Sequence, residues 1–188
     1  MSITGIIQKL LVVFLIILIS CGEKPKTTAS FVDAGGDSSI LSIEAVRKNY
    51  ERSYTQPTTF SGLDEGKPGE EIRIAGKYYC VLNSEFSIPE KLIPDNKQEF
   101  KTHDFAADIF IMSNKDTILI KTITINEFKG NIPSNLFEYG VLSEPVFIGY
   151  NEKDDQFDFH IGISIPLTNT AVSRIAGIKR DGELVIRK

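Results

Sequence analysis

Cysteine is scarce in this chain: Cys21 and Cys80 are the only two among 188 residues. Two cysteines cannot build a disulfide framework or a paired-cysteine metal site. Basic residues are not in excess either, because the formal net charge is -4, and this argues against a nucleic acid as partner. The hydrophobic fraction of 41% is ordinary, so the chain has enough apolar residues for the core of one globular domain.

Catalytic motifs are also lacking. The sequence has no Gly-x-Ser-x-Gly elbow, no His-Glu-x-x-His and no glycine-rich phosphate loop. It therefore predicts no catalytic residue, no cofactor and no metal site. We expect a protein that is not an enzyme.

The N-terminal apolar run is too short to span a membrane. It extends from Leu10 to Ile19, about half of the ~20 residues that a bilayer requires. Lys9 precedes it, and Leu-Ile-Ser-Cys ends it at Cys21, which is the pattern of a bacterial lipoprotein signal. We predict that residues 1–20 are a cleaved signal peptide and that Cys21 is lipidated, so that its acyl chains anchor the mature protein in a membrane. A plain cleaved signal, with Cys21 incidental, is the alternative.

The rest of the chain divides into a tether and one domain. Residues 21–40 contain proline, glycine and hydroxyl residues and almost no apolar ones, which is typical of a flexible tether. Residues 41–188 are predicted to form a β-rich domain. Apolar residues at helical spacing predict a short helix over about 42–53. Prolines and glycines predict a loop over 55–69, with strands from about residue 70.

Evenly spaced apolar runs joined by short polar segments predict an antiparallel meander of about eight strands. The predicted turns lie at Ala75-Gly76, 113–116, 151–155 and 180–182. Of these, Asp181-Gly182 is the strongest hairpin signal, because a type I′ turn needs positive φ at both central positions. The fold class is therefore mainly β, with a sandwich and a barrel-like sheet both open.

Two single-turn helices are predicted between the second and third hairpins, at 126–129 and 134–139. Ser134 is a candidate N-cap. Gly130 and Gly140 follow the two segments as candidate residues just beyond each helix end.

Alternation predicts which strand faces are buried. From Phe157 to Ile165 the odd-numbered residues are apolar, so they should face the core. In the first strand of the second predicted hairpin, four residues should share one core face: Phe105, Ala107, Ile109 and Ile111. The opposite face of that hairpin is also apolar, with Phe110, Met112, Ile118 and Ile120. Either the helix packs on that outer face, or an apolar cleft lies there.

Three sites in the sequence are candidates for function. Asp158 and His160 are two apart on one strand and so share a face, where they would supply two metal ligands or an acid–histidine pair. We favour two polar residues on the solvent side of the strand, since a metal site needs three or four ligands. His103-Asp104 is a weaker pair, because neighbouring strand residues point to opposite faces, and we interpret it as the start of a strand. Cys80 lies in an apolar run and is interpreted as a core thiol.

Two charged segments have an ordinary interpretation as well. Residues 151–155 resemble half of a calcium loop but lack its spacing, so we interpret them as a charged hairpin tip. The C-terminal segment contains a cluster of four basic residues: Lys179, Arg180, Arg187 and Lys188. This group would touch anionic lipid or an acidic partner, or it is a solvated edge strand.

Three stretches resemble a known family: Lys121 to Phe128, Gly140 to Phe147 and Lys179 to Ile186. Together with the lipoprotein signal, they resemble small single-domain Bacteroidetes lipoproteins that have a β-rich domain of uncharacterised function. The resemblance implies a location in the envelope of a Gram-negative cell. It implies no ligand and no functional residue.

The residues after Cys21 predict the final location. Gly22 is not the aspartate that often retains lipoproteins at the inner membrane, and no acidic run follows that would direct export to the cell surface. We therefore expect an outer-membrane lipoprotein that faces the periplasm and binds an envelope protein or component. The alternatives are a carrier with a small apolar ligand in a cavity of the β domain and, less favoured, an enzyme that uses Asp158 and His160.

Overall fold

A computed structural model describes residues 43–93 and 99–188. The predicted signal peptide, tether and Cys21 lie outside these residues. The first half contains helix α1 (Ile43–Thr55) and strands β1 (Thr58–Glu65), β2 (Glu71–Ile88), β3 (Phe100–Ser113) and β4 (Asp116–Ile123), with a 3-10 turn at Glu90–Leu92. The second half contains a 3-10 turn (Ile125–Phe128), helix α2 (Ser134–Tyr139) and strands β5 (Val141–Leu142), β6 (Val146–Asn151), β7 (Gln156–Ser164), β8 (Ala171–Lys179) and β9 (Leu184–Arg187).

The strands form two antiparallel sheets, which confirms the mainly β fold class. The first sheet has the order β1-β2-β3-β4. In the second sheet, β5 pairs with β7, β7 with β8 and β8 with β9, and β6 also pairs with β7. A single buried apolar cluster contains side chains from both sheets, so the core lies between them. Of the two architectures that the sequence leaves open, the described residues therefore adopt the sandwich.

The predicted core faces are confirmed. In β7 and the residue that follows it, the five odd-numbered residues from Phe157 to Ile165 are at most 2% exposed. In β3 the predicted set is buried as well: Phe105, Ala107, Ile109 and Ile111. At roughly 25 cal/mol per Å² of buried apolar surface, such fully enclosed aromatic and β-branched side chains dominate the stability of the sandwich.

The prediction of a turn at Ala75-Gly76 is wrong. Both residues lie within β2, which extends over 18 residues and pairs regularly with β3 up to Val81. Gly76 is directly opposite Phe60 in the register, and a Cβ at Gly76 would overlap the Phe60 ring. The glycine therefore makes room for an aromatic ring from the next strand.

The prediction of a loop over 55–69 is wrong for most of its length, because β1 occupies Thr58–Glu65. The inward positions of this strand are Phe60, Gly62 and Asp64, so the usual alternation of large apolar residues is missing. Gly62 is required by the close approach of the Phe147 ring. Only the segment between β1 and β2 is a turn, with Gly69 at φ +83°.

The hairpin predictions at 113–116 and 180–182 are confirmed, but the type I′ turn lies at the first of them. Asn114 and Lys115 both have positive φ, as a type I′ turn requires. At the Asp-Gly turn, Gly182 has φ +88°, and its N–H donates to the Lys179 carbonyl at 2.9 Å. This is a three-residue loop with a glycine bulge. The predicted type I′ turn at Asp181-Gly182 is therefore wrong.

The two short helices between β4 and β5 are confirmed. Thr124 and Glu127 form a reciprocal capping box at the first. Gly130 has φ +81° just beyond its end, as predicted, whereas Gly140 is extended. Ser134 is the first helical residue, and Pro133 takes the cap position.

Helix α1 packs on the beginning of β3. The Tyr50 ring meets Phe100 edge-on at 6.0 Å, and the Tyr54 ring meets His103 at 4.9 Å. The Tyr54 hydroxyl donates to Thr102 Oγ1 at 3.1 Å. The helix does not cover the outer face of the β3–β4 hairpin.

Candidate functional site

Asp158 and His160 share the outer face of β7, as their spacing predicts, but each has a different partner. Asp158 accepts hydrogen bonds from Gln156 Nε2 at 2.7 Å and from the Arg187 guanidinium of β9. His160 Nε2 is hydrogen-bonded to Ser173 Oγ of β8. The described residues show no hydrogen bond between Asp158 and His160.

Ser173 and His160 are residue types that serve as nucleophile and general base in a catalytic triad, but the carboxylate that would be the third member has other partners. A working triad needs a carboxylate that orients the histidine. The Asp158 carboxylate is instead held by Arg187 and Gln156. Within residues 43–93 and 99–188, no group of three or more histidine, cysteine or acidic side chains is placed to hold a metal. The arrangement is suited to cross-strand polar contacts, and nothing local in the sequence points to Ser173.

The remaining sequence candidates lie on two paired strands, His103-Asp104 on β3 and Cys80 on β2. His103 lies against the Tyr54 ring, and burial raises the pKa of the Asp104 carboxyl. The pair does not begin a strand, because β3 starts at Phe100. Burial also raises the pKa of the Cys80 thiol, which disfavours the nucleophilic thiolate.

The charged tip at 151–155 and the basic residue Arg180 are joined in one network. Asp155 accepts hydrogen bonds from Arg180 Nε at 2.8 Å and from the Tyr150 hydroxyl at 2.5 Å. Arg180 also donates to both carboxylate oxygens of Glu70, at 2.9 and 2.6 Å. These bonds lower the pKa of Asp155 and hold the pKa of Glu70 at about 2. Asp155 is thus saturated by cationic and hydroxyl donors, which leaves it unsuited to calcium.

The other C-terminal basic residues are paired too. Lys179 Nζ lies 2.6 Å from Glu183, and Arg187 contacts Asp158. With Arg180 bound to Glu70, three of the four basic side chains form internal ion pairs. A surface for anionic lipid needs unpaired cations, so this group fits an edge strand with compensated charge better.

An exposed apolar surface lies on the outer face of the first sheet. Of the seven exposed large hydrophobic side chains in the described residues, four lie here: Leu63 at 68%, Phe110 at 37%, Ile118 at 38% and Ile120 at 61% exposed. Phe110 is directly opposite Ile120, and Ile118 occupies the β-bulge beside it. We call these four residues the apolar surface. Sequence alternation anticipates Phe110, Ile118 and Ile120, but not Leu63.

Charges of both signs lie within and beside the apolar surface, because Arg73 of β2 stands between Leu63 of β1 and Met112 of β3. Leu63 is opposite Arg73 in the register, and Arg73 forms an ion pair with Glu71. Lys77 of β2 and Asp108 of β3 are opposite each other on the same face, and Asp108 is two residues from Phe110 along β3. An apolar centre with a mixed polar rim is typical of protein–protein contact surfaces.

A small concavity lies between helix α1 and the β7–β8 loop, with a volume of about 350 Å³. It is lined by Val46, Tyr50, Ser164, Ile165, Leu167 and Thr168, together with Asn169. Leu167 has φ +62°, a conformation that leucine rarely adopts. The volume is at the lower limit for small-molecule sites.

Comparisons with known proteins identify no relative: no family model matches the chain, and no curated protein matches it. Among the residues that the structure describes, no helix is long and apolar enough to cross a bilayer.

Proposed function

We propose that this chain is an envelope lipoprotein, anchored through acyl chains on Cys21, whose β domain binds a protein partner without catalysis. The proposed location is the periplasmic face of the outer membrane. The lipoprotein pattern that ends at Cys21 supports the anchor. The resemblance of three stretches to small Bacteroidetes lipoproteins agrees with this location.

The apolar surface is the observation that carries the binding role. Leu63, Phe110 and Ile120 belong to three different strands, so the sheet holds them on a rigid frame. Their exposure to water is unfavourable at roughly 25 cal/mol per Å², and a partner would relieve it. The mixed charges at the rim favour a protein over a bilayer, since an anionic membrane attracts a surplus of cations.

In vivo photo-crosslinking tests the binding role. A photoreactive amino acid at Ile120 is compared with the same residue at Glu152, an exposed position on the β6–β7 turn. We expect one envelope protein to be crosslinked from position 120 and not from position 152. Affinity capture with Ile120→Asp should lose that protein. Equal capture from both positions, or no protein from position 120, would contradict the proposed contact surface.

A second candidate function is transport of a small apolar ligand, which the concavity beside Tyr50 favours. Native mass spectrometry of the purified chain would then show a bound mass, and Val46→Trp, which fills the concavity, would remove it. A spectrum with the bare protein mass alone would leave the protein-binding role as the only candidate.

A further inference from the structure

Arg180 connects turns that belong to both sheets. It lies at the β8–β9 turn, and its guanidinium binds Glu70 immediately before β2 and Asp155 at the β6–β7 turn. The guanidinium also lies over the rings of Tyr150 and Phe157, at 5.2 and 5.3 Å from their centroids. The Arg180 side chain is 26% exposed and that of Glu70 is 14% exposed, so solvent screens this pair only in part.

The strand next to this network has little apolar burial of its own. No residue of β1 is fully buried. Its contacts with the second sheet include a hydrogen bond from the Tyr150 N–H to Asp64 Oδ2 at 2.6 Å and the Phe147 ring beside Gly62. In the following turn, Lys67 Nζ lies 3.1 Å from Asp155. Apart from Phe60, which packs against the core, polar contacts therefore contribute much of what holds β1 and its turn to the second sheet.

We propose that Arg180 is a clasp that keeps β1 and the β1–β2 turn closed against the second sheet. When the clasp is broken, β1 and its turn open locally while the rest of the sandwich stays folded. Segments with few buried apolar contacts open locally at the lowest free-energy cost, and β1 is such a segment. The opened state exposes the backbone edge of β2 and the end of the core at Ile72.

The other end of the sandwich is held differently, which makes the opening local. Helix α1 covers the beginning of β3 through Tyr50 and Tyr54, whereas Ser113 at the end of β3 donates to Glu70 at 2.6 Å. The clasp and the helix therefore act on opposite ends of the same strand. Loss of the clasp leaves the contacts of the helix in place.

Hydrogen–deuterium exchange of the full chain in mild detergent tests this clasp. Arg180→Met keeps the length of the side chain but removes its charge and donors. The matched control is Lys179→Met, because within the described residues Lys179 forms its ion pair with Glu183 of its own hairpin. We expect exchange in residues 58–70 to rise at least about tenfold in Arg180→Met, as for the loss of a hydrogen bond between charged groups, with no change in α1 or β7.

A second variant, Glu70→Gln, removes the other half of the ion pair and gives the same readout should Arg180→Met fail to fold. The clasp is overturned if exchange in residues 58–70 matches that of the control in both variants. It is also overturned if exchange rises equally in α1, β7 and β1, because the domain would then unfold as one unit.

Discussion

At the scale of single residues, position 76 requires glycine because an aromatic ring lies against its backbone. The Phe60 ring occupies the space where a Cβ of residue 76 would lie. Gly76→Ala should therefore destabilise the domain by about 1–3 kcal/mol, the usual cost of overpacking. Chemical denaturation measures this change in the free energy of unfolding.

The double variant is the control for this prediction. When Phe60 is replaced by Ala, the ring is absent and Gly76→Ala should cost little. If the cost of Gly76→Ala were the same with and without the ring, the overlap with Phe60 would not be its cause.

Glu70 should make the stability of the domain depend on acid. Its pKa falls from 4.5 to about 2 in the folded chain, chiefly because Arg180 donates hydrogen bonds to the carboxylate. The charged form is favoured by folding, so this stabilisation is complete above about pH 4.5 and is lost as the pH falls to 2. We expect the loss to be on the order of 1–3 kcal/mol in urea unfolding curves.

Glu70→Gln provides the comparison, since glutamine does not titrate. The variant should be less stable than the native chain at pH 6, and the difference should shrink between pH 4.5 and 2. A constant difference over this range would show that the Glu70 charge does not stabilise the fold.

At the scale of elements, helix α1 is held to β3 by the hydroxyl of Tyr54 as well as by its ring. Thr102, which accepts the hydrogen bond, is 0% exposed. Tyr54→Phe leaves this buried group without its donor, so we expect a loss of about 1 kcal/mol in the free energy of unfolding. The matched variant is Tyr79→Phe, whose hydroxyl is 3.4 Å from Asp108 on the outer face, and it should cost less. Equal costs would contradict a special role for Tyr54 in helix docking.

The elements also show which parts of the fold can be predicted from sequence. Strand β7 alternates strictly because one face lies on the core and the other on solvent. Strand β1 has no such pattern, because its inward positions serve neighbours: Gly62 admits Phe147, and Asp64 accepts from the Tyr150 N–H. Tyr150 lies 86 positions along the chain from Asp64, so no local window of the sequence reveals these neighbours.

The candidate sites follow the same rule. Phe110 and Ile120 can be found in the sequence because an apolar residue at an outward position breaks the alternation. The contact between Glu70 and Arg180 joins residues 110 positions apart, and neither residue has a local signature. Long-range ion pairs depend on topology, and topology was left open between a sandwich and a barrel.

At the scale of the whole molecule, the proposed anchor and the folded domain should be separable. The buried cluster that stabilises the fold draws on residues from Tyr50 onward, so the proposed acyl chains on Cys21 are not needed for folding. Cys21→Ala should therefore lose its fatty-acid label and leave the membrane fraction, while its thermal unfolding midpoint stays unchanged. Metabolic labelling with a fatty acid, followed by fractionation, measures this.

The chain provides its own control for this last prediction, because it has one other cysteine. Cys80 is a half-buried free thiol in β2, and Cys80→Ala should keep both the label and the membrane attachment. Label on Cys21→Ala, or its retention in the membrane, would contradict lipidation at Cys21.

The same pair of variants also tests partner binding. An acyl anchor confines the domain to a thin layer at the membrane, which raises its effective concentration toward a partner in that layer. Capture of the partner should then weaken in Cys21→Ala and remain unchanged in Cys80→Ala, although both variants keep the apolar surface intact.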